Sequence, residues 1–282
     1  MSGTTIAVIG AGQMGSGIAQ VFAQAGFPVI LYDVAQQQLD KAMGGIRSSM
    51  EKLVAKGKMT TADALASAAR LKTTGRVEDC AAADFLIEAV PEQFALKKTI
   101  FETFDHALAP KAIIASNTSS IAIGKLGAVT KRPAQVIGMH FMNPVPLMPC
   151  VEVIRSDATN DSTFQATRAL IERLGKTMVV AKDRPGFIVN RILAPMLNEA
   201  AYALQEGLAT REDIDTAMKL SCNFPMGPLT LADFVGLDTL VSILEVMERE
   251  IGDPKFRPAP VLKEFVAKGW LGRKSGKGFY TY

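Results

Sequence analysis

The chain has 282 residues, 48% of them hydrophobic, enough to core two modest domains or one large one. Its 31 basic and 28 acidic side chains leave a net charge of +3, too mild to indicate a nucleic-acid surface, and no long basic run appears. No apolar stretch approaches the ~18 residues that span a bilayer, the start carries no basic leader, and Cys80, Cys150 and Cys222 are too scattered for a disulfide framework or a zinc site. The expectation is a soluble cytoplasmic protein with no metal, no membrane and no nucleic-acid partner.

Ile6-Ala7-Val8-Ile9 reads as the first strand, and Gly10-Ala11-Gly12-Gln13-Met14-Gly15 follows with the spacing G-x-G-x-x-G. Gly10 takes a tight turn, Gly12 leaves the backbone open to a phosphate, and Gly15 lets the next helix pack on the strand. Ile18, Val21, Phe22 and Ala25 recur at helical spacing, so free N–H groups at the helix start face an anion over the glycines. Val29-Ile30-Leu31 predicts a second strand ending at Asp33, near the ~20-residue offset of a carboxylate that binds the adenine-side ribose. Asp33 repels a 2′-phosphate, so the cofactor read here is NAD rather than NADP.

Leu39, Met43, Ile46, Met50, Leu53 and Val54 mark one face of a long helix, and a second, Ala-rich helix runs roughly from Thr61 to Arg70. The pair exceeds what a βαβ crossover needs, and its polar face (Lys41, Arg47, Ser49, Lys52, Lys56, Lys58) reads from composition alone as a solvated one. Strands are then expected at Phe85 to Val90, Ala112 to Ala115, Val136 to Met139, Val151 to Ile154 and Thr177 to Val180, with helices around Lys97 to Phe104 and Phe164 to Leu174. The alternation predicts a Rossmann-type α/β fold with a doubly wound, mostly parallel sheet over residues 1–184, carrying a helical excursion at about 36–70. Ligands of such sheets lie beyond the carboxyl ends of the strands, where this chain carries Asp33, Glu92, Asn117, Ser119, His140 and Asn143. After Asp183-Arg184-Pro185-Gly186 the pattern turns helical, predicting an all-α domain over 185–282 in which Thr210 caps a helix with Asp213 three residues on. Its apolar content exceeds what it must hide internally, so a homodimer through this domain is expected.

Of the two histidines, His106 sits near a helix C-terminus, where a cation suits the dipole, and reads as structural. His140 directly follows a strand at the ligand edge, where a general acid or base would act; a satisfied core histidine is the alternative. Glu152 lies on the next strand, taken as parallel, inside an apolar Val-Glu-Val-Ile run where an unpaired carboxylate is costly, which favours a His140–Glu152 pair. Ser119, Asn117 and Asn143 suit either substrate contacts or local turn bonding, and Asn190 opens the first helix past the linker.

At Ser116 to Ser120, Gly138 to Pro144 and Pro185 to Arg191 the chain resembles the 3-hydroxyacyl-CoA dehydrogenase family, most closely its bacterial 3-hydroxybutyryl-CoA branch. Asp213 to Met218, Pro225 to Pro228 and Gly272 to Tyr280 extend the resemblance over essentially the whole chain. It implies His140 as general acid/base with Glu152 as partner, and Ser119 and Asn190 positioning the substrate's 3-oxygen and thioester carbonyl. It implies an NAD site at Gly10, Gly12, Gln13, Met14, Gly15, Asp33, Glu92, Lys97, Asn117, Ser119, Asn143 and Lys274, and CoA contacts at Ser49, Lys52, Lys56 and Ser119. That reverses the solvated reading of the basic helical face. Pro149-Cys150 departs from the Lys-Leu of the family just ahead of Glu152. The expected reaction is reversible hydride transfer between NAD and C3 of a short (S)-3-hydroxyacyl-CoA, with acetoacetyl-CoA as the ketone. A dehydrogenase of a free hydroxy acid or sugar acid, and a non-catalytic dinucleotide-binding protein, stand as rivals.

Overall fold

In a computed structural model that describes residues 3–282, the apolar run Ile6–Ile9 forms β1, buried on both faces as a central parallel strand requires. The chain continues through α1 (Gln13–Gln24), β2 (Val29–Tyr32), α2 (Gln36–Ala55), α3 (Thr61–Ala69) and β3 (Leu71–Thr74). Beyond a short turn it crosses to the other side of β1 through β4 (Phe85–Glu88), α4 (Phe94–Ala107), β5 (Ile113–Ser116), α5 (Ile123–Gly127), β6 (Val136–Phe141), β7 (Cys150–Arg155), α6 (Asp161–Arg173) and β8 (Thr177–Lys182). The sheet order is β3-β2-β1-β4-β5-β6-β7-β8. The direction of travel therefore reverses between β1 and β4, opening a crevice at their carboxyl ends. Phe22, Phe27, Leu31, Phe141, Leu170 and Ile171 belong to the core packed on the sheet.

Three details depart from the sequence reading. β3 was not expected: its residues, Leu-Lys-Thr-Thr, bury only Leu71, and a short polar edge strand lacks the apolar signal of a central one. β6 runs through Phe141, so His140 lies within the strand rather than after it. β6 and β7 are antiparallel, not parallel. The loop 142–149 is too short for a parallel crossover, which needs a dozen or more residues.

The second unit, Pro185–Tyr282, is helical: α7 (Val189–Gln205), α8 (Arg211–Ser221), α9 (Pro228–Val235), α10 (Leu237–Ile251) and α11 (Pro260–Ala267). Leu197, Leu229, Leu240, Leu244, Phe256 and Phe279 lie in its core. Thr210 caps α8, its hydroxyl accepting from the Asp213 amide at 3.1 Å. Two buried aspartates tie the end of the chain to the helices. Asp233 accepts from the amides of Phe279 and Tyr280, each at 2.9 Å, and Asp215 accepts from the amide of Leu229 at 2.7 Å and the hydroxyl of Tyr280 at 3.0 Å. Gly278 lies so close to Asp233, and Gly227 to Asp215, that neither position has room for a Cβ. Among the described residues no helix is long and apolar enough to cross a membrane.

Candidate active site

The turn after β1 is shaped by sterics. Gly10 has φ of +102°, and Gly15 packs its Cα against the Gly10 carbonyl with no space for a side chain. At Gly12, by contrast, a Cβ would meet nothing within 4 Å, so the backbone lies open. α1 begins here with no side-chain cap and no acidic residue in its first turn, which leaves its first N–H groups and the positive end of its dipole for an anion. Gln13 and Met14 are its first two residues. Asp33, one residue past β2, accepts from the amides of Ala11 at 2.8 Å and Ala35 at 3.0 Å, which fixes a carboxylate beside the turn. An open glycine backbone, an uncapped helix start and a fixed carboxylate fit the diphosphate and ribose of NAD.

Across the crevice, the ends of β4 and β5 carry a buried charge cluster. Lys97 of α4 reaches back to Glu88 at 2.6 Å and to Glu92 at 3.2 Å, although its side chain is only 1% exposed. Glu88 also accepts from the Ser116 hydroxyl at 2.6 Å and the Val90 amide at 2.7 Å. Burial pushes the Glu88 carboxyl up, and the Lys97 ammonium offsets this only in part. Burial also opposes charge on Glu92, but Lys97 and the hydroxyls of Thr118 and Ser120 outweigh it and hold that carboxyl below its ordinary value. Glu92 Oε1 gathers the Thr118 hydroxyl (2.5 Å), the Ser119 amide (3.1 Å) and the Ser120 amide (3.0 Å), so one carboxylate shapes the loop that presents Ser119.

His140 and Glu152 are register partners in the β6–β7 pair, and the imidazole Nδ1 lies 2.8 Å from Glu152 Oε2. The Glu152 side chain is fully buried and that of His140 is 10% exposed. An ionised carboxylate only accepts, so Nδ1 carries the proton shared with Glu152. Asn117 turns its Oδ1 inward to the Phe141 amide at 2.9 Å, fastening the end of β5 to β6 beside His140. Asn143, in the exposed loop beyond, accepts from Gln13 Nε2 at 3.1 Å, joining that loop to the glycine turn.

Ser49 is half-buried and Lys52 exposed on α2, and Lys56, the residue that caps the C-terminal end of that helix, is exposed. Asn190, the second residue of α7, belongs to the helical unit; so does Lys274, whose ammonium donates to Asp238 at 2.7 Å. The remaining candidates gather at the carboxyl edge of the sheet. His106 is exposed in the last turn of α4. Sequence reasoning missed Glu88, which organises Lys97 and Ser116. The signal was present, since a carboxylate inside Phe-Leu-Ile-Glu raises the same burial problem that pointed to Glu152.

A family model described as the 3-hydroxyacyl-CoA dehydrogenase NAD binding domain matches residues 5–184, and the model of that family's C-terminal domain matches 186–282. A probable 3-hydroxybutyryl-CoA dehydrogenase of Bacillus subtilis is 50% identical over 277 residues, 98% of this chain and 96% of the relative. The 3-hydroxybutyryl-CoA dehydrogenase of Bradyrhizobium diazoefficiens is 49% identical over 277 residues, 98% of this chain and 94% of the relative. The crystal structure of (S)-3-hydroxybutyryl-CoA dehydrogenase from Ralstonia eutropha superposes with a TM-score of 0.96 at 48% identity, covering 99% of this chain and 98% of that one.

Proposed function

Because this chain belongs to the 3-hydroxyacyl-CoA dehydrogenase family, we propose that it interconverts a short (S)-3-hydroxyacyl-CoA and its 3-keto form, with 3-hydroxybutyryl-CoA and acetoacetyl-CoA as the pair. The single observation that carries the mechanism is the imidazole of His140, held at 2.8 Å by a buried carboxylate on the facing strand. When bound at the glycine turn, the cofactor would supply the hydride acceptor for C3 in oxidation and the hydride donor in reduction. In oxidation His140 accepts the hydroxyl proton on Nε2, and Glu152 stabilises the imidazolium that results. In reduction the imidazolium donates that proton to the 3-oxygen as negative charge builds there.

The cofactor is held at Gly10 to Gly15 and Asp33, with Glu92, Lys97, Asn117, Ser119, Asn143 and Lys274 assigned to the same site. The open turn over Gly12 and the uncapped start of α1 support this. Ser119 and Asn190 are assigned to the substrate's 3-oxygen and thioester carbonyl, and Ser49, Lys52 and Lys56 to the CoA phosphates. The site acts as part of a homodimer formed through the helical unit, a reading supported by the exposure of Ile192 (66%), Leu208 (77%) and Leu220 (80%) there. Three free cysteines agree with a cytoplasmic setting.

The test follows NADH absorbance with acetoacetyl-CoA and, separately, with acetoacetate. Turnover of the thioester alone supports the reading; equal turnover of acetoacetate points to a free-acid dehydrogenase, and NADH binding without turnover to a mere binder. His140→Gln is expected to lose ~10²–10⁴-fold in kcat, the usual scale of general acid–base catalysis. Near wild-type kcat in that variant removes His140 from the chemistry.

A further inference from the structure

The loop 142–149 joins the strand of His140 to the strand of Glu152, and a lysine that no step of the chemistry uses fastens it. Gly175, with φ of +65°, ends α6 in a left-handed turn and delivers Lys176 to the start of β8. The Lys176 ammonium donates to the carbonyl oxygens of Val145 at 2.8 Å and Met148 at 2.6 Å, and the next amide, that of Thr177, donates to Pro149 at 2.7 Å. Lys176 is half-buried, and burial pulls its pKa below the ordinary lysine value. A charge kept there at a cost, with two backbone carbonyls as its partners, is a device for shaping the loop. An ammonium suits that task, because its three donors on a flexible stem can meet two separate carbonyls at once.

What the loop is shaped for follows from two further contacts, both with α1. Val145, only 2% exposed, seats in a notch at Gly17, where a Cβ would lie 2.9 Å from the Val145 Cβ. Asn143 accepts from Nε2 of Gln13, the first residue of that helix, at 3.1 Å. The amides of Leu147 and Met148 both donate to the Pro144 carbonyl, at 2.9 and 3.0 Å, so residues 144–148 form one turn. Fixing the carbonyls of that turn at 145 and 148 therefore fixes Asn143, which leads into it. We propose that Lys176 is a positioning residue for the cofactor: it holds the turn against α1 and thereby sets Asn143 beside the glycine turn. The catalytic pair needs no such help, because the β6–β7 ladder already places His140 opposite Glu152. The role rests on Asn143 being a cofactor contact, as proposed above.

The experiment measures NADH Kd and, at saturating NADH, KM for acetoacetyl-CoA in the wild-type protein, Lys176→Met, Asn143→Ala and the double variant. Lys176→Met keeps the apolar stem and removes the donors. It is expected to raise NADH Kd about threefold to tenfold, the scale of one or two hydrogen bonds, while KM for acetoacetyl-CoA stays at its wild-type value. In the Asn143→Ala background the same substitution should raise Kd little further, because residues that act through one contact are not additive. A wild-type Kd in Lys176→Met, a loss of thioester affinity equal to that of NADH, or fully additive losses in the double variant overturns the proposal. Should Lys176→Met fail to fold, Lys176→Gln, which keeps a polar head of shorter reach, carries the same comparison. A wild-type Kd in Asn143→Ala is a separate outcome, which removes Asn143 from the cofactor site and this role of Lys176 with it.

Discussion

His140 and Glu152 face each other across paired strands, and the backbone ladder, not the side chains, sets their separation. The imidazole is therefore oriented before any substrate arrives. Single residues elsewhere divide in the same way between those the fold satisfies and those left to a ligand. Lys97 is fully engaged by Glu88 and Glu92, whereas Lys56 lies exposed at the C-terminal cap of α2. Lys56→Glu should accordingly raise KM for acetoacetyl-CoA by about tenfold, the scale of a lost charge-assisted contact, with a smaller change in NADH Kd. Equal losses of both affinities would count against a CoA role for this residue. The three thiols separate by burial. Cys80 is 0% exposed, and burial, reinforced by the charge of Asp79, pushes its pKa up to about 12. Burial and the nearby Glu152 also raise Cys150, while Cys222 is exposed. Ellman's reagent at pH 8 should titrate Cys222 first, Cys150 more slowly and Cys80 only after denaturation, since the thiolate is the reactive form. Early reaction of Cys80 would contradict its burial.

Elements explain why the motifs of the helical unit have their spacing. The run Gly272 to Tyr280 is a latch: its glycines let the backbone approach Asp233, and that carboxylate holds the amides of Phe279 and Tyr280. Phe279 is then seated in the core beside Phe265, which also contacts Trp270 at 5.1 Å between ring centroids. Asp233→Ala should lower stability by about 2–4 kcal/mol, because it strands buried donors and loosens a core aromatic. Trp270 is the only tryptophan, so its fluorescence in urea reports this unit directly. A midpoint within error of wild type would show that the latch contributes nothing. In the first unit the decisive element is the antiparallel turn-back of β7, which sets Glu152 opposite His140 in a sheet otherwise built from parallel neighbours.

For the whole molecule, the helical unit carries apolar surface that its own core does not cover. Leu208, at 77% exposure, lines an apolar groove with Met196, Ala200, Ile214 and Met218. Burying such a surface against a second copy is the expected outcome at micromolar concentration. Light scattering should give twice the 30.2 kDa chain mass, and a monomer would remove the proposed dimer.

The amino-acid sequence alone determined whatever is encoded locally: the glycine turn, the carboxylate after β2, the helical run beyond the linker and the cap at Thr210. Each depends on residue conformation or on periodicity over a few turns, and neighbours in the chain carry that information. Burial cost extended this reach to Glu152, because a carboxylate in an apolar strand requires a partner. Tertiary structure decided what depends on pairing between distant segments: the sense of β7, the polar edge strand β3, and the sharing of Lys97 between two carboxylates. Sheet order and helix docking set which distant groups meet, and no local pattern records them.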